Sequence, residues 1–149
     1  MAIGDICKRE VAFAAREMTV QQAAKLMRYH HVGSLVVVDP DSGTRRPVGI
    51  VTDRDIVMEI NALDLDPKVI TIGDIMNAEL VTVPESFGLM ETTQLMRMKG
   101  VRRVPVVDTE GNLSGIVTSD DVLEVLAEEL TELAQTVSHE RSREVRVRS

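Results

Sequence analysis

Apolar and polar positions along the chain sort into short segments that recur in the same order. Leu35 to Val38 and Val104 to Val107 are largely β-branched runs without polar alternation, the pattern of strands covered on both faces. Val48 to Val51 and Leu113 to Val117 predict a second strand in each half, and brief strands are expected around Val11 to Ala14 and Val81 to Val83. Val20, Ala23, Ala24 and Met27 repeat at helical spacing, as Leu89, Thr93 and Met96 roughly do. Thr19 is placed to cap the first of these helices, with Gln22 completing a capping box, and Ser86 to cap the second. Turn residues fill Asp39-Pro40-Asp41-Ser42-Gly43 and Asp108-Thr109-Glu110-Gly111-Asn112. A helix follows the last strand each time. The order is β-α-β-β-α, twice, which makes this an α/β (α+β) chain.

The two halves are one unit duplicated. Ile3-Gly4-Asp5-Ile6 returns as Ile72-Gly73-Asp74-Ile75, and the same offset of 69 aligns Leu26-Met27-Arg28 with Leu95-Met96-Arg97 and Val37-Val38-Asp39 with Val106-Val107-Asp108. The next loop is three residues shorter in the second copy, after which Gly49-Ile50-Val51-Thr52 matches Gly115-Ile116-Val117-Thr118. The organisation predicted is a first repeat over 1–61, a linker over 62–71, and a second repeat over 72–137 with an extended, acidic-sided last helix. A flexible basic tail over 138–149 carries Arg141, Arg143, Arg146 and Arg148. A copy of roughly 60 residues is marginal alone, so the copies are expected to pack on each other.

Composition narrows the function classes. Aromatic residues are 2% of the chain, so the core is built from Val, Ile, Leu, Met and Ala, and stacking platforms for single-stranded nucleic acid are not expected. A net charge of −7 argues against phosphate backbones and anionic membranes as partners. Cys7 is the single cysteine, and His30 next to His31 at a helix end is a poor pair of metal ligands, so no metal is expected. No leader-like N-terminus and no membrane-length apolar run are seen, which makes the cytoplasm the expected location. Nucleophile-elbow and phosphate-loop signatures are missing, and no enzyme is expected.

Both strand-to-helix junctions read Gly-Ile-Val-Thr-x-x-Asp. Glycine is expected to serve the turn into the strand, Thr52 and Thr118 to cap the helices, and Asp55 and Asp121 to occupy their N3 positions. Taken once, that is a well-made helix start. Taken twice within this duplicated order, and with the string Val104-Pro105-Val106-Val107-Asp108, the chain resembles the CBS domain over residues 1 to 127. The first copy departs from the family pattern at Val36, where proline is usual.

The resemblance implies a pair of CBS repeats packed about a pseudo-twofold axis, acting as a regulatory module without a required cofactor. Its inter-repeat clefts would hold an adenosine-containing ligand: AMP, ADP, ATP, S-adenosylmethionine or NAD. Cleft one would use Thr52, Arg54 and Asp55 from the first copy with Val81, Val101 and Arg102 from the second. Cleft two would use Thr118, Asp120 and Asp121 with Cys7, Ala12, Val32 and Gly33. Arg54 and Arg102 suit cleft one to phosphate, whereas Asp120 adds negative charge to cleft two. A homodimer paired through its helices into a disk and an effector protein in trans are also implied. The alternative is a dimeric scaffold with vestigial pockets.

Overall fold

The computed structural model describes residues 1–39 and 45–148, and two three-stranded sheets organise them. In the first, β1 (Phe13–Ala15) runs parallel to β2 (Ser34–Asp39), which pairs antiparallel with β3 (Arg46–Thr52). In the second, β4 (Val83–Pro84), β5 (Arg103–Val107) and β6 (Leu113–Thr118) repeat that order and those directions. Helix α1 (Val20–His30) connects β1 to β2, and α2 (Asp53–Ile56), continued by a π-helical turn over Val57–Asn61, follows β3. Helix α3 (Ile72–Ile75) opens the second copy where a 3-10 turn, Ile3–Asp5, opens the first. Helix α4 (Leu89–Lys99) connects β4 to β5, and α5 (Ser119–Arg148) follows β6. The fold is the mixed α+β, twice-repeated β-α-β-β-α order read from the sequence. The turn expected over Pro40 to Gly43 lies outside the described residues.

Local chemistry sets these boundaries. Thr19 Oγ1 accepts from the Gln22 N–H (3.2 Å) while Gln22 Oε1 accepts from the Thr19 N–H (3.1 Å), closing the box that starts α1. Helix α4 starts at Leu89, so its cap is Gly88 and not Ser86; glycine has no acceptor side chain, and only the Glu91 half of the box forms. The buried face of α1 is Val20, Ala23 and Met27, with Ala24 exposed. On α4 the buried polar position is Thr92 and not Thr93, because the 69-residue offset carries Ala23 onto Thr92; its hydroxyl donates to the Gly88 carbonyl at 2.9 Å. Both helices end in a left-handed residue, His31 (φ 54°) in one copy and Gly100 (φ 65°) in the other.

The departure at Val36 has a visible consequence. Its N–H donates to the Ala12 carbonyl at 3.1 Å, whereas its counterpart Pro105 has no N–H to give. Accordingly β1 pairs with β2 at three positions and β4 with β5 at only two.

The repeats interlock by exchanging their leading segments. Ile72 is fully buried with Val20, Leu35 and Val51 of the first copy, and Ile3 with Val83, Val104 and Val117 of the second. The Ile3 N–H donates to Phe87 O (2.7 Å) and the Gly4 N–H to Glu85 O (2.9 Å). Reciprocally, the Ile72 N–H donates to Met18 O (2.9 Å) and the Gly73 N–H to Arg16 O (3.0 Å). Each buried isoleucine contributes about 1.5–3 kcal/mol. Each core therefore contains a side chain from the other repeat.

Helix α5 runs past Val137 into the stretch read as a basic tail. It continues through residues 138–148, because Glu and Arg are good helix formers and Glu144 pairs with Arg148 one turn on at 2.9 Å. Among the described residues no helix is long and apolar enough to cross a membrane.

Candidate functional site

The two Gly-Ile-Val-Thr-x-x-Asp segments fold identically at the helix start. Thr52 Oγ1 accepts from the Asp55 N–H (3.1 Å) while Asp55 Oδ2 accepts from the Thr52 N–H (2.9 Å); Thr118 and Asp121 make the same pair of bonds at the same lengths. The glycine does not make a turn. Gly49 and Gly115 lie inside β3 and β6, and a Cβ there would stand 2.6 Å from Met76 Sδ and Cys7 Sγ respectively. Those residues belong to the exchanged leaders. Beyond them Asn77 and Ile50 trade backbone bonds (3.0 and 3.3 Å), as Lys8 and Ile116 do (both 2.9 Å). Glycine is needed so that the leader can lie on the strand and bring Asn77 and Lys8 to the two junctions.

At the first junction lies a cavity of about 440 Å³ lined by Ile50, Thr52, Asp53, Arg54, Asp55, Asn77, Val101, Arg102 and Arg103. A neighbouring cavity of about 610 Å³ shares Asn77 and Val101 and adds Val81, Leu95 and Lys99. All six residues assigned to cleft one thus line one or the other of two adjacent cavities. The first carries three guanidinium groups, and the second sets Leu80, Val81 and Leu95 beside Glu79, Thr82 and Lys99. Asp55 is half-buried and faces the polar part. Arg103 and Asn77 were missed by the sequence reading, although the offset that aligns Arg102 and Val101 pointed to their neighbourhood.

The second junction is furnished differently. Asp121 is buried, at 6% exposure, and its Oδ1 lies 3.3 Å from Lys8 Nζ, the counterpart of Asn77. Arg54, Arg102 and Arg103 have Asp120, Gly33 and Ser34 as counterparts, and Asp120 itself lies 3.9 Å from Arg102. Ala12 and Val32 line an aliphatic-sided cavity of about 500 Å³ with Leu26 and His30, the equivalent of the second cavity of cleft one. Gly33 packs against Asp53 and Arg103, both residues of cleft one. The Cys7 thiol sits over Gly115 and contacts the Gly4 carbonyl at 3.7 Å. Burial pushes its pKa above the ordinary thiol value, against a smaller lowering by Arg9. Arg9 donates to the Gly4 carbonyl (2.8 Å) and to Glu85. Its bond holds the Glu85 carboxyl below the usual carboxylate range, with Ser114 assisting. Among the described residues no group of three or more His, Cys, Asp or Glu could hold a metal ion.

Comparison with known proteins accords with this geometry. The family model of the CBS domain matches residues 3–62 and 72–128. The chain is 36% identical over 125 residues to uncharacterized protein MK0525 of Methanopyrus kandleri, a match covering 84% of this chain and 62% of that protein. It is 36% identical over 124 residues to hypoxic response protein 1 of Mycobacterium tuberculosis, covering 83% and 84%. The crystal structure of Hypoxic Response Protein I with two coordinated zinc ions superposes with a TM-score of 0.73 at 33% identity, covering 83% of this chain and 98% of that one. So does the CBS domain pair of MJ0100 in complex with 5-methylthioadenosine and S-adenosyl-L-methionine, with a TM-score of 0.73 at 28% identity over 87% and 98%.

Proposed function

The chain belongs to the CBS-domain family, and on that premise we propose that it is a regulatory, non-catalytic sensor that binds an adenosine-containing ligand in cleft one. The observation that carries this is the pair of adjacent cavities that share Asn77 and Val101, with Thr52, Asp55 and three arginines around one and Leu80, Val81 and Leu95 among the residues lining the other. Arg54, Arg102 and Arg103 would neutralise phosphate, and the Asp55 carboxylate would accept from ribose hydroxyls, as acidic residues do in dinucleotide folds. Val81, Val101 and Leu95 would cover adenine. The complex of the MJ0100 domain pair with two adenosyl compounds supports the ligand class. Occupancy would draw the two repeats together across the cleft, and a homodimer of this chain would pass that change to an effector protein in trans.

Titration calorimetry of the full chain with AMP, ATP and S-adenosylmethionine tests the proposal. One ligand per chain is expected, with the phosphorylated compounds bound more tightly. Absence of heat with every one of them at millimolar concentration would refute it. The second reading, a scaffold, is favoured by the Lys8–Asp121 pair, which already satisfies the carboxylate of cleft two.

A further inference from the structure

A cavity of about 800 Å³ lies between the repeats at the start of β3, where Arg46, Pro47 and Val48 line it. Cleft one uses the other end of that strand, at Ile50 and Thr52. Of the cleft's own lining, only Leu80 and Thr82 are shared with this cavity. Arg16 of the first repeat and Glu110 of the second complete its charged groups. We propose that this cavity is a further ligand site, which takes a small organic acid with one carboxylate and an aliphatic body.

The two repeats treat this place in opposite ways. At the first leader Arg9 donates to Glu85 and to the carbonyls of Gly4 (2.8 Å) and Ser114 (3.3 Å), and the Arg45 guanidinium covers the Phe13 ring at 4.7 Å. The offset of 69 puts Ala78 where Arg9 stands and Thr82 where Phe13 stands. Two large side chains are thereby replaced by small ones, and both small ones line the cavity. The same offset puts Arg16 where Glu85 stands, so a cation takes the place of the acid. Among the described residues the Arg16 guanidinium has no hydrogen bond or ion pair. Arg46 lines the cavity with it, its Nη2 3.5 Å from the Glu110 carbonyl. Two arginines against one glutamate leave a single positive charge, which one carboxylate would neutralise. Val48, Met76, Ala78 and Leu80 offer apolar surface to the body of the molecule, and the volume falls in the range of small-molecule sites. The ligand would thus bring to Arg16 the partner that Arg9 finds within the chain.

Methyl NMR titration of the full chain with hexanoate tests this without any ligand in cleft one. Saturable shifts at Val48, Met76, Ala78 and Leu80 are expected, and none from hexanamide, which has the same body without the charge. Arg16→Gln should weaken hexanoate binding about tenfold, the worth of one charge-assisted hydrogen bond. The double variant Arg16→Glu/Ala78→Arg copies the Arg9–Glu85 clasp into this place, so it should fold as the unaltered chain does and lose the response. Absence of saturable shifts at millimolar hexanoate would overturn the proposal. So would an equal response to hexanamide or to inorganic phosphate, or undiminished binding in Arg16→Gln. Calorimetry with AMP on Arg16→Gln keeps the two sites apart: its affinity for cleft one should be unchanged, and a chain that binds no AMP at all can still bind the acid.

Discussion

Cleft one and cleft two start from the same capping box, its two bonds equal to the tenth of an ångström, yet present opposite chemistry. Where cleft one has Asn77, Arg54, Arg102 and Arg103, cleft two has Lys8, Asp120, Gly33 and Ser34. The same carboxylate therefore faces a cavity with three arginines in one place and, in the other, is buried beside the ammonium of a largely exposed Lys8. Thr-x-x-Asp builds the same helix start in both repeats, while the side chains set around it, several of them from the other repeat, differ in charge.

The sharpest break of the comparison is Asp55→Ala against Asp121→Ala. With AMP or ATP at about 1,000 times its Kd, the folded state gains about 4 kcal/mol. For a chain of this size that raises Tm by about 10 °C. Thermal denaturation with and without ligand should show that rise vanish in Asp55→Ala and persist in Asp121→Ala. Equal losses would mean that the clefts are equivalent.

Gly115→Ala is the next largest effect. The added methyl meets Cys7 Sγ at 2.6 Å and the Lys8 carbonyl at 2.9 Å, and the second contact is backbone that cannot swing aside. A loss of about 1–3 kcal/mol is expected from urea unfolding.

Lys8→Asn gives cleft two the residue that cleft one carries. Asp121 loses its cation and faces the junction, so the calorimetric stoichiometry for an uncharged adenosyl compound such as adenosine should rise from one towards two. An unchanged stoichiometry would show that Lys8 is not what closes the cleft.

His31→Gly copies Gly100 into the first repeat. Relief of a left-handed β-carbon, set against the greater freedom of glycine in the unfolded chain, should leave a gain of about 0.5–1 kcal/mol, read from the chemical denaturation midpoint.

Smallest is the acid response of the clasp at the first leader. Since bonding to Arg9 lowers the folded pKa of Glu85, its stabilisation is complete above the ordinary carboxylate value of about 4.3 and fades as pH falls through the lower folded value. The second leader has Arg16 and Ala78 at the corresponding positions and lacks this pair. Comparing Arg9→Ala with the unaltered chain at pH 7 and pH 3 should show a difference in midpoint that shrinks in acid.

Much of this was legible in the residues. The duplication, the strand order and the Thr19–Gln22 cap follow from spacing and local hydrogen-bonding chemistry, and so do the twin Thr–Asp boxes. Gly49 and Gly115 were legible as special but not for their reason, since the atoms that crowd them come from 27 residues later in one case and 108 earlier in the other. Ser86 misled because a good capping residue lies two positions before Gly88, which caps the helix.

Local sequence by itself determined the elements, because caps, β-branched runs and apolar periodicity act within a few residues. Which repeat each leader completes, and which side chain reaches each carboxylate, were decided only by the tertiary structure. Packing and charge pairing depend on distance in space, and the exchange that brings Lys8 to Asp121 and Asn77 to cleft one leaves no mark in either segment alone.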